Sequence, residues 1–383
     1  MSKLRPRIII SGWYGQFNAG DDAILDVFIE QTRARADCDI AVLVEAPENL
    51  PGMAALPHPV GLGRGALRNL VDGSYLRHLA QLRRCDLFVL GGGGLLRDNT
   101  NWRNLVRLLD EIWWAKLFGR KVMLYAIGVG PFKSRLGRWL IRRSVNMCDL
   151  ITVRSERCVA LLRELGIAQD RIHLVADPAF LLATQAPRDP ALHQLFAGGN
   201  KIGFYPTYAL LRKSFPGDAH LKRMAAALDR LVETDAAEMV AVPMSVRSDG
   251  FDDVRVAQLI RAEMKYPEAL AIYDKRLSAE ELKWVTAQAR LNITVRLHAM
   301  IFSLGCGVPV VALNYEPKVG NVFAAFGAPE YLVEIDDQLG TSLADATSAC
   351  IRNLAPYADR IAAQSGPIRA AASRTFDLMA LGA

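Results

Sequence analysis

At 383 residues the chain is too long for one ordinary core, and with 51% apolar and 22% charged residues it is neither disordered nor fibrous; two domains are the natural division. Its formal net charge of +6 invites an anionic partner. The arginines are spread along the chain rather than gathered in a tail, and no nucleic-acid motif accompanies them, so nucleic-acid binding has no support.

Met1 to Ile10 hold three basic side chains and one short apolar triplet, far less than the apolar run of an export signal. Cys38, Cys85, Cys148, Cys158, Cys306 and Cys350 form no C-x-x-C pair, which argues against a disulfide framework and a thiolate metal site. The longest apolar stretch, Ala299 to Leu313, is broken by Ser303, Gly305, Gly307 and Pro309, short of the roughly 20 residues of a membrane helix. The expected setting is cytoplasmic.

The N-terminal half alternates strands with helical stretches, the pattern of a parallel sheet covered by helices. Strands are expected at Arg7 to Gly12, Asp39 to Val44, Leu87 to Leu90, Val122 to Ile127, Leu150 to Val153 and Ile172 to Val175. Asp22 to Ala34 and Trp102 to Phe118 carry helical periodicity. Asp177 to Lys201, with Pro178, Pro187, Pro190 and Gly198-Gly199, suits a linker between an N-terminal domain, 1–185, and a C-terminal domain, 196–383. The alternation then restarts, with strands near Ile202 to Tyr205, Met239 to Val242, Ala271 to Tyr273, Leu291 to Thr294 and Pro309 to Leu313. The final stretch, Leu343 to Leu381, reads as helical with breaks near Pro356 and Gly366-Pro367, and it could cross back to the first domain.

Several strand ends carry chemistry. The first strand runs into Gly12-Trp13-Tyr14-Gly15-Gln16-Phe17-Asn18-Ala19-Gly20-Asp21-Asp22, a glycine-rich loop that could bring backbone N–H groups to an anion. It lacks the Lys-Ser/Thr of a P-loop, and the structural alternative is a tight turn with Asp21 as helix N-cap. Gly91 to Gly94 follow the strand Leu87 to Leu90, where close backbone approach to a ligand competes with a merely flexible loop. Arg154 closes another strand, placing a guanidinium fork where it suits a carboxylate or phosphate.

The strongest segment is Thr294-Val295-Arg296-Leu297-His298, then Gly307-Val308-Pro309, then Asn314-Tyr315-Glu316-Pro317-Lys318-Val319. Arg296, His298 and Lys318 sit at the ends of successive strands, so they can converge on a ligand with more than one negative group. A lone histidine is usually a packed or surface residue, and only its cationic neighbours lift His298 above that reading. His58, His78, His173, His193 and His220 show no close pairing, so no metal site is expected and no cofactor is demanded. Arg135, Arg138, Arg142 and Arg143 form a basic helical face, readable as a solvated surface or as one that rests on anionic lipid.

Together these segments resemble the polysaccharide pyruvyl transferase family. Its G-Y-Y-G…N-x-G-D-E-A-I-L is similar to Gly12-Trp13-Tyr14-Gly15 through Asn18-Ala19-Gly20-Asp21-Asp22-Ala23-Ile24-Leu25, and its G-G-G-S-L-L-x-D to Gly91-Gly92-Gly93-Gly94-Leu95-Leu96-Arg97-Asp98. Its G-I-G-P, V-R-D-x-x-S and D-P-A-F resemble Gly128-Val129-Gly130-Pro131, Val153-Arg154-Ser155-Glu156-Arg157-Cys158 and Asp177-Pro178-Ala179-Phe180. Its R-L-H-A…G-V-P…Y-D-P-K-V resembles Arg296-Leu297-His298-Ala299, Gly307-Val308-Pro309 and Tyr315-Glu316-Pro317-Lys318-Val319. Ser155, Cys158, Thr294-Val295 and Glu316 depart from the pattern, flanking the charged residues without removing them.

The resemblance implies two facing Rossmann-like domains of GT-B type and transfer of the enolpyruvyl unit of phosphoenolpyruvate to a sugar as a pyruvate ketal. It implies that Asp21, Arg154, Arg296, His298 and Lys318 are functional residues. Their chemistry suits His298 and Asp21 to catalysis and Arg154, Arg296 and Lys318 to binding phosphoenolpyruvate, and the glycine-rich loops would offer Gly15, Gly20, Gly92, Gly93 and Gly94 as backbone contacts. The donor domain would be the C-terminal one, the acceptor a saccharide or lipid-linked saccharide, with peripheral contact at the inner face of the cell membrane. A nucleotide-sugar glycosyltransferase or epimerase of the same shape is the nearest rival reading. A non-catalytic scaffold of polymer assembly is a third, against which the Arg296, His298 and Lys318 set argues.

Overall fold

The computed structural model describes residues 5–44, 47–50, 53–57, 73–98, 102–207, 219–246, 252–315 and 317–379. The chain forms two compact units: Met1–Gln16, Ile24–Pro178 and Ala370–Ala383 make the first, and Phe17–Ala23 with Ala179–Arg369 the second.

The first unit holds β1 (Arg7–Ser11), β2 (Asp39–Val44), β3 (Ala55–Pro57), β4 (Leu87–Gly91), β5 (Lys121–Ile127), β6 (Leu150–Val153) and β7 (Ile172–Leu174), in the spatial order β3-β2-β1-β4-β5-β6-β7. Neighbouring strands are parallel throughout. Inner strands such as Ile8-Ile9-Ile10 and Phe88-Val89-Leu90 are buried on both faces, which is why they read as continuous apolar runs. Helices Trp102–Leu117, Arg135–Met147 and Glu156–Glu164 supply crossovers.

The second unit holds β8 (Ile202–Tyr205), β9 (Met239–Ala241), β10 (Leu270–Ile272), β11 (Leu291–Thr294), β12 (Val310–Asn314) and β13 (Leu332–Glu334), ordered β10-β9-β8-β11-β12-β13 and again parallel. In each sheet the strand order reverses once, between β1 and β4 and between β8 and β11. Open parallel sheets bind ligands outside the carboxyl ends of strands at such points. The first reversal lies beside the loops after Ser11 and Gly91, and the second lies beside Val295-Arg296.

β3 and β13 were not expected. Each has three residues and lies at a sheet edge, too short for periodicity, and Pro57 is tolerated there because an edge strand leaves some N–H positions unpaired. The stretch read as a linker is ordered: a 3₁₀ turn spans Pro178–Leu181, and helix Pro190–Leu195 follows, with Asp189 accepting from the Ala191 N–H at 3.0 Å.

Of the two expected C-terminal breaks, the one near Pro356 is present, at Asn353, and the one at Gly366-Pro367 is not. Helices Leu339–Arg352 and Leu354–Asp377 part at Asn353, and neither proline ends a helix. Pro356 lies in the first turn, where no intrahelical N–H bond is needed, and Pro367 is accommodated inside the helix. The last turns pack in the first unit. There Phe376 meets Tyr125 and Phe28 at ring separations of 5.7 and 6.3 Å, and Thr375 donates to the Thr152 hydroxyl at 3.0 Å.

Candidate functional site

In the second unit, β11 delivers Arg296 to the sheet's carboxyl edge at the strand-order reversal. The Thr294 hydroxyl accepts from the Arg296 N–H at 2.8 Å and donates to the Arg296 carbonyl at 3.0 Å, clamping the backbone just before helix Leu297–Gly305. The threonine that departs from the family pattern therefore holds the arginine that conforms to it.

The Arg296 side chain is fixed by a residue absent from the expected set. Asp253, 1% exposed at the start of helix Asp253–Glu263, accepts from Arg296 Nη2 at 2.5 Å through Oδ1. Its Oδ2 accepts from the backbone N–H groups of Met244 and Ser245 at 3.1 and 2.9 Å. Burial pushes the Asp253 carboxyl above its ordinary range, while Arg296 and the two N–H groups pull it down. All its contacts are donors, so it is held as an acceptor throughout. Arg296 Nε is buried and meets no hydrogen-bond partner among the described residues.

His298 lies in the first turn of the same helix, and its ring rests on Gly20. A Cβ at position 20 would lie 1.9 Å from His298 Nδ1, so only glycine admits the ring in this position. Gly20 belongs to the first turn of helix Ala19–Arg33. Asn18, not Asp21, takes the cap position there. The Asn18 carbonyl accepts from the Asp21 and Asp22 N–H groups at 3.1 and 3.2 Å, and its side-chain oxygen accepts from the Gly20 N–H at 3.3 Å. The cap is one turn earlier than expected because the helix begins at Ala19. Asp21 is buried, and its carboxylate accepts from the Asn18 amide at 2.5 Å.

The structure thus brings Gly20, Asp21, Asp253, Arg296 and His298 into one unit. Lys318 begins the helix Pro317–Ala325 directly after β12, the neighbour of β11, which places its backbone at the same sheet edge. Its side chain and most of the loops Pro206 to Ser214 and Pro243 to Asp252 lie outside the described residues.

Arg154 belongs to the first unit, at the carboxyl end of β6, where its guanidinium donates to Asp177 at the end of the β7 segment. Both side chains are buried or nearly so. Ser155 caps helix Glu156–Glu164, accepting from the Cys158 N–H at 3.3 Å, and Cys158 Sγ accepts from the Val129 N–H at 3.3 Å. These two departures thus hold the helix start and the Gly128–Pro131 loop together.

The glycine loops meet the chain itself. Gly92 and Gly93 have φ of +75° and +72°, and Gly93 accepts from the Gly128 N–H at 2.8 Å, while Leu96 and Gly130 extend the backbone stitching. A Cβ at Gly94 would meet nothing within 4 Å. Gly15 accepts from the Asn49 amide at 2.8 Å. A recess at the ends of β1 and β2 is lined by Gly12, Trp13, Gln16, Val44 and the buried Arg107.

Asp98, which closes the four-glycine motif, braces the start of helix Arg135–Met147. It accepts from the N–H groups of Lys133 and Ser134 at 2.5 and 2.7 Å and from the Ser134 hydroxyl at 2.7 Å. Burial works upward on its carboxyl, but the Ser134 hydroxyl and the two backbone donors outweigh it and hold the carboxyl below its ordinary value. The stability this supplies is complete above the ordinary carboxylate range of about 4 and is lost as pH falls through the folded value. Asp98→Asn should lower the thermal midpoint at neutral pH, and the gap from the parent should close as the pH is taken below about 4. A gap constant across that range would refute the ionised brace.

The polysaccharide pyruvyl transferase family model matches residues 14–317. The amylovoran biosynthesis protein AmsJ of Erwinia amylovora is 23% identical over 398 residues, covering 93% of this chain and 94% of the relative. Among solved structures, the UDP-GlcNAc 2-epimerase of Methanocaldococcus jannaschii is similar with a TM-score of 0.67 at 13% identity, covering 98% of this chain and 100% of that one. The UDP-GlcNAc 2-epimerase of Neisseria meningitidis, bound to UDP-GlcNAc, gives 0.66 at 9% identity over 97% of this chain and 98% of that one. At these identities the structural likeness shows the fold alone, an α/β fold of GT-B type. The sequence match spans most of the chain and includes Asp21, Arg154, Arg296 and His298. The chain belongs to the polysaccharide pyruvyl transferase family.

Proposed function

We propose that this chain transfers the enolpyruvyl unit of phosphoenolpyruvate to two hydroxyls of a sugar in a polysaccharide or its precursor, forming a pyruvate ketal and releasing phosphate. The observation that carries the reading is the guanidinium of Arg296, fixed by buried Asp253 while its buried Nε meets no partner among the described residues, on the same helix start as an imidazole. Phosphoenolpyruvate has a carboxylate and a phosphate, both suited to such donors. The relation to a protein named for amylovoran biosynthesis agrees with a saccharide acceptor.

In this reading an acid protonates the methylene carbon, and the electrons of the carbon–carbon double bond form the new C–H bond. The adjacent carbon becomes electrophilic, and a sugar hydroxyl attacks it while a base takes the hydroxyl proton. The carbon–oxygen bond to phosphate then breaks, a second hydroxyl closes the ketal, and its proton leaves with the phosphate. His298 is the first choice for proton transfer, because imidazole is the side chain whose ordinary pKa lies nearest neutrality, with Asp21 second. Arg296 and Lys318 would hold the donor and stabilise charge on the departing phosphate. The assignment of Arg154 to the donor rests on family resemblance.

Thermal unfolding with phosphoenolpyruvate tests the donor, since a ligand of the native state stabilises it by about 2.7 kcal/mol at a hundred times its Kd. The midpoint should rise with phosphoenolpyruvate and not with UDP-sugars, and the rise should vanish in Arg296→Ala. A rise with UDP-sugars alone would move the chain to nucleotide-sugar chemistry.

A further inference from the structure

We propose that the exposed face of helix Arg135–Met147 docks on an anionic lipid surface. The helix reads Arg-Leu-Gly-Arg-Trp-Leu-Ile-Arg-Arg-Ser-Val-Asn-Met and contains no acidic residue. Gly137, Ile141, Ser144 and Val145 are its buried stripe. On the opposite side Trp139 is 56% exposed and Leu136 65%, both large apolar side chains in water. At about 100° per residue, Arg135, Arg138, Arg142 and Arg143 fan out around Trp139. All four are exposed, and none is in an ion pair among the described residues.

Charge complementarity selects the occupant. An indole and a leucine ringed by unpaired guanidinium groups match the boundary between acyl chains and anionic headgroups, where tryptophan settles and arginine neutralises phosphate. No helix of the described residues is long and apolar enough to cross a membrane, so the contact would be peripheral. The geometry gives it a direction. The helix follows β5, so the turn bearing Leu136 and Trp139 lies towards the sheet's carboxyl edge, and Asp98 holds that turn in place. The proposal does not rest on the pyruvyl-transfer reading, and either can fail alone.

The test is flotation of the full chain with phosphatidylcholine vesicles, with and without about a third phosphatidylglycerol. Binding should require phosphatidylglycerol and weaken with salt. Each arginine is worth about five-fold in partitioning, so Arg138→Ala with Arg143→Ala should lower it about 30-fold. Trp139→Ala should lower binding while leaving its salt dependence intact. Arg83→Ala with Arg84→Ala, an equal loss of exposed charge on helix Ser74–Arg84, should leave binding unchanged. All these sites are exposed, so thermal midpoints should stay with the parent's. Equal binding to both vesicle types, no binding, or binding indifferent to the helix variants would overturn the proposal. So would a dimer abolished by Trp139→Ala in a protein that ignores vesicles.

Discussion

Arg296→Ala should abolish measurable donor saturation and lower the stability of the second unit by about 3 kcal/mol, because it leaves the buried Asp253 carboxylate without its cation. Asp253→Asn should repeat much of this without touching a ligand. Its amide has one oxygen where the carboxylate has two, so either Arg296 or the N–H pair of Met244 and Ser245 would face an NH₂ group. The expected result is a higher KM for phosphoenolpyruvate and a lower thermal midpoint. The double change Arg296→Met with Asp253→Leu separates the two effects. Replacing both partners by apolar groups removes the unpaired buried charge but leaves the Met244 and Ser245 N–H groups without their acceptor, so it should recover part of the stability and no donor binding. A double variant that regained activity would reduce the pair to a structural brace and sink the donor role of Arg296.

What the sequence disclosed followed burial. Strands such as Asp39–Val44, Leu150–Val153 and Leu291–Thr294 are buried over most of their length and largely apolar, and their limits were legible to the residue. The three-residue edge strands carried no such run. Among site residues, Arg296 and His298 were visible because a charged residue closing an apolar strand is conspicuous. Asp253 was not, because it follows Asp252, the true N-cap, whose side chain accepts from the Val254 N–H at 2.9 Å. An acidic residue in the first turn of a helix is ordinarily explained by the helix dipole, and nothing local says that this one is buried against an arginine 43 residues away. The one available signal was the Asp252-Asp253 pair, where a single cap suffices.

Three departures from the family pattern, Thr294, Ser155 and Cys158, are explained at the level of the backbone, while Glu316 lies outside the described residues. Thr294 clamps both backbone groups of Arg296, while Ser155 and Cys158 bind a helix start to the Gly128–Pro131 loop. Thr294 holds the backbone of its charged neighbour directly, whereas Ser155 and Cys158 fix the helix start that follows Arg154. Position matters more than identity at these flanks, and so a sequence that differs there retains Arg154 and Arg296 in fixed orientations.

His298→Ala should lower kcat by about 10² to 10⁴, with much less change in KM for phosphoenolpyruvate, if the imidazole moves a proton in the rate-limiting step. The limb of the pH–rate profile that belongs to this group should flatten in the variant. Gly20→Ala tests the same residue from the opposite side of the contact. The new methyl group would occupy the space of the His298 ring, closer than any real Cβ approaches an imidazole, so the ring must turn away from its present place. A displacement of about 1 Å can cost about a hundred-fold, so Gly20→Ala should fall within reach of His298→Ala while still folding. Because both changes remove one function, the double variant should be no slower than His298→Ala alone. Full activity in His298→Ala would end its catalytic role. A Gly20→Ala defect that persisted and added in the His298→Ala background would assign the glycine a part of its own, in the backbone that carries Asp21.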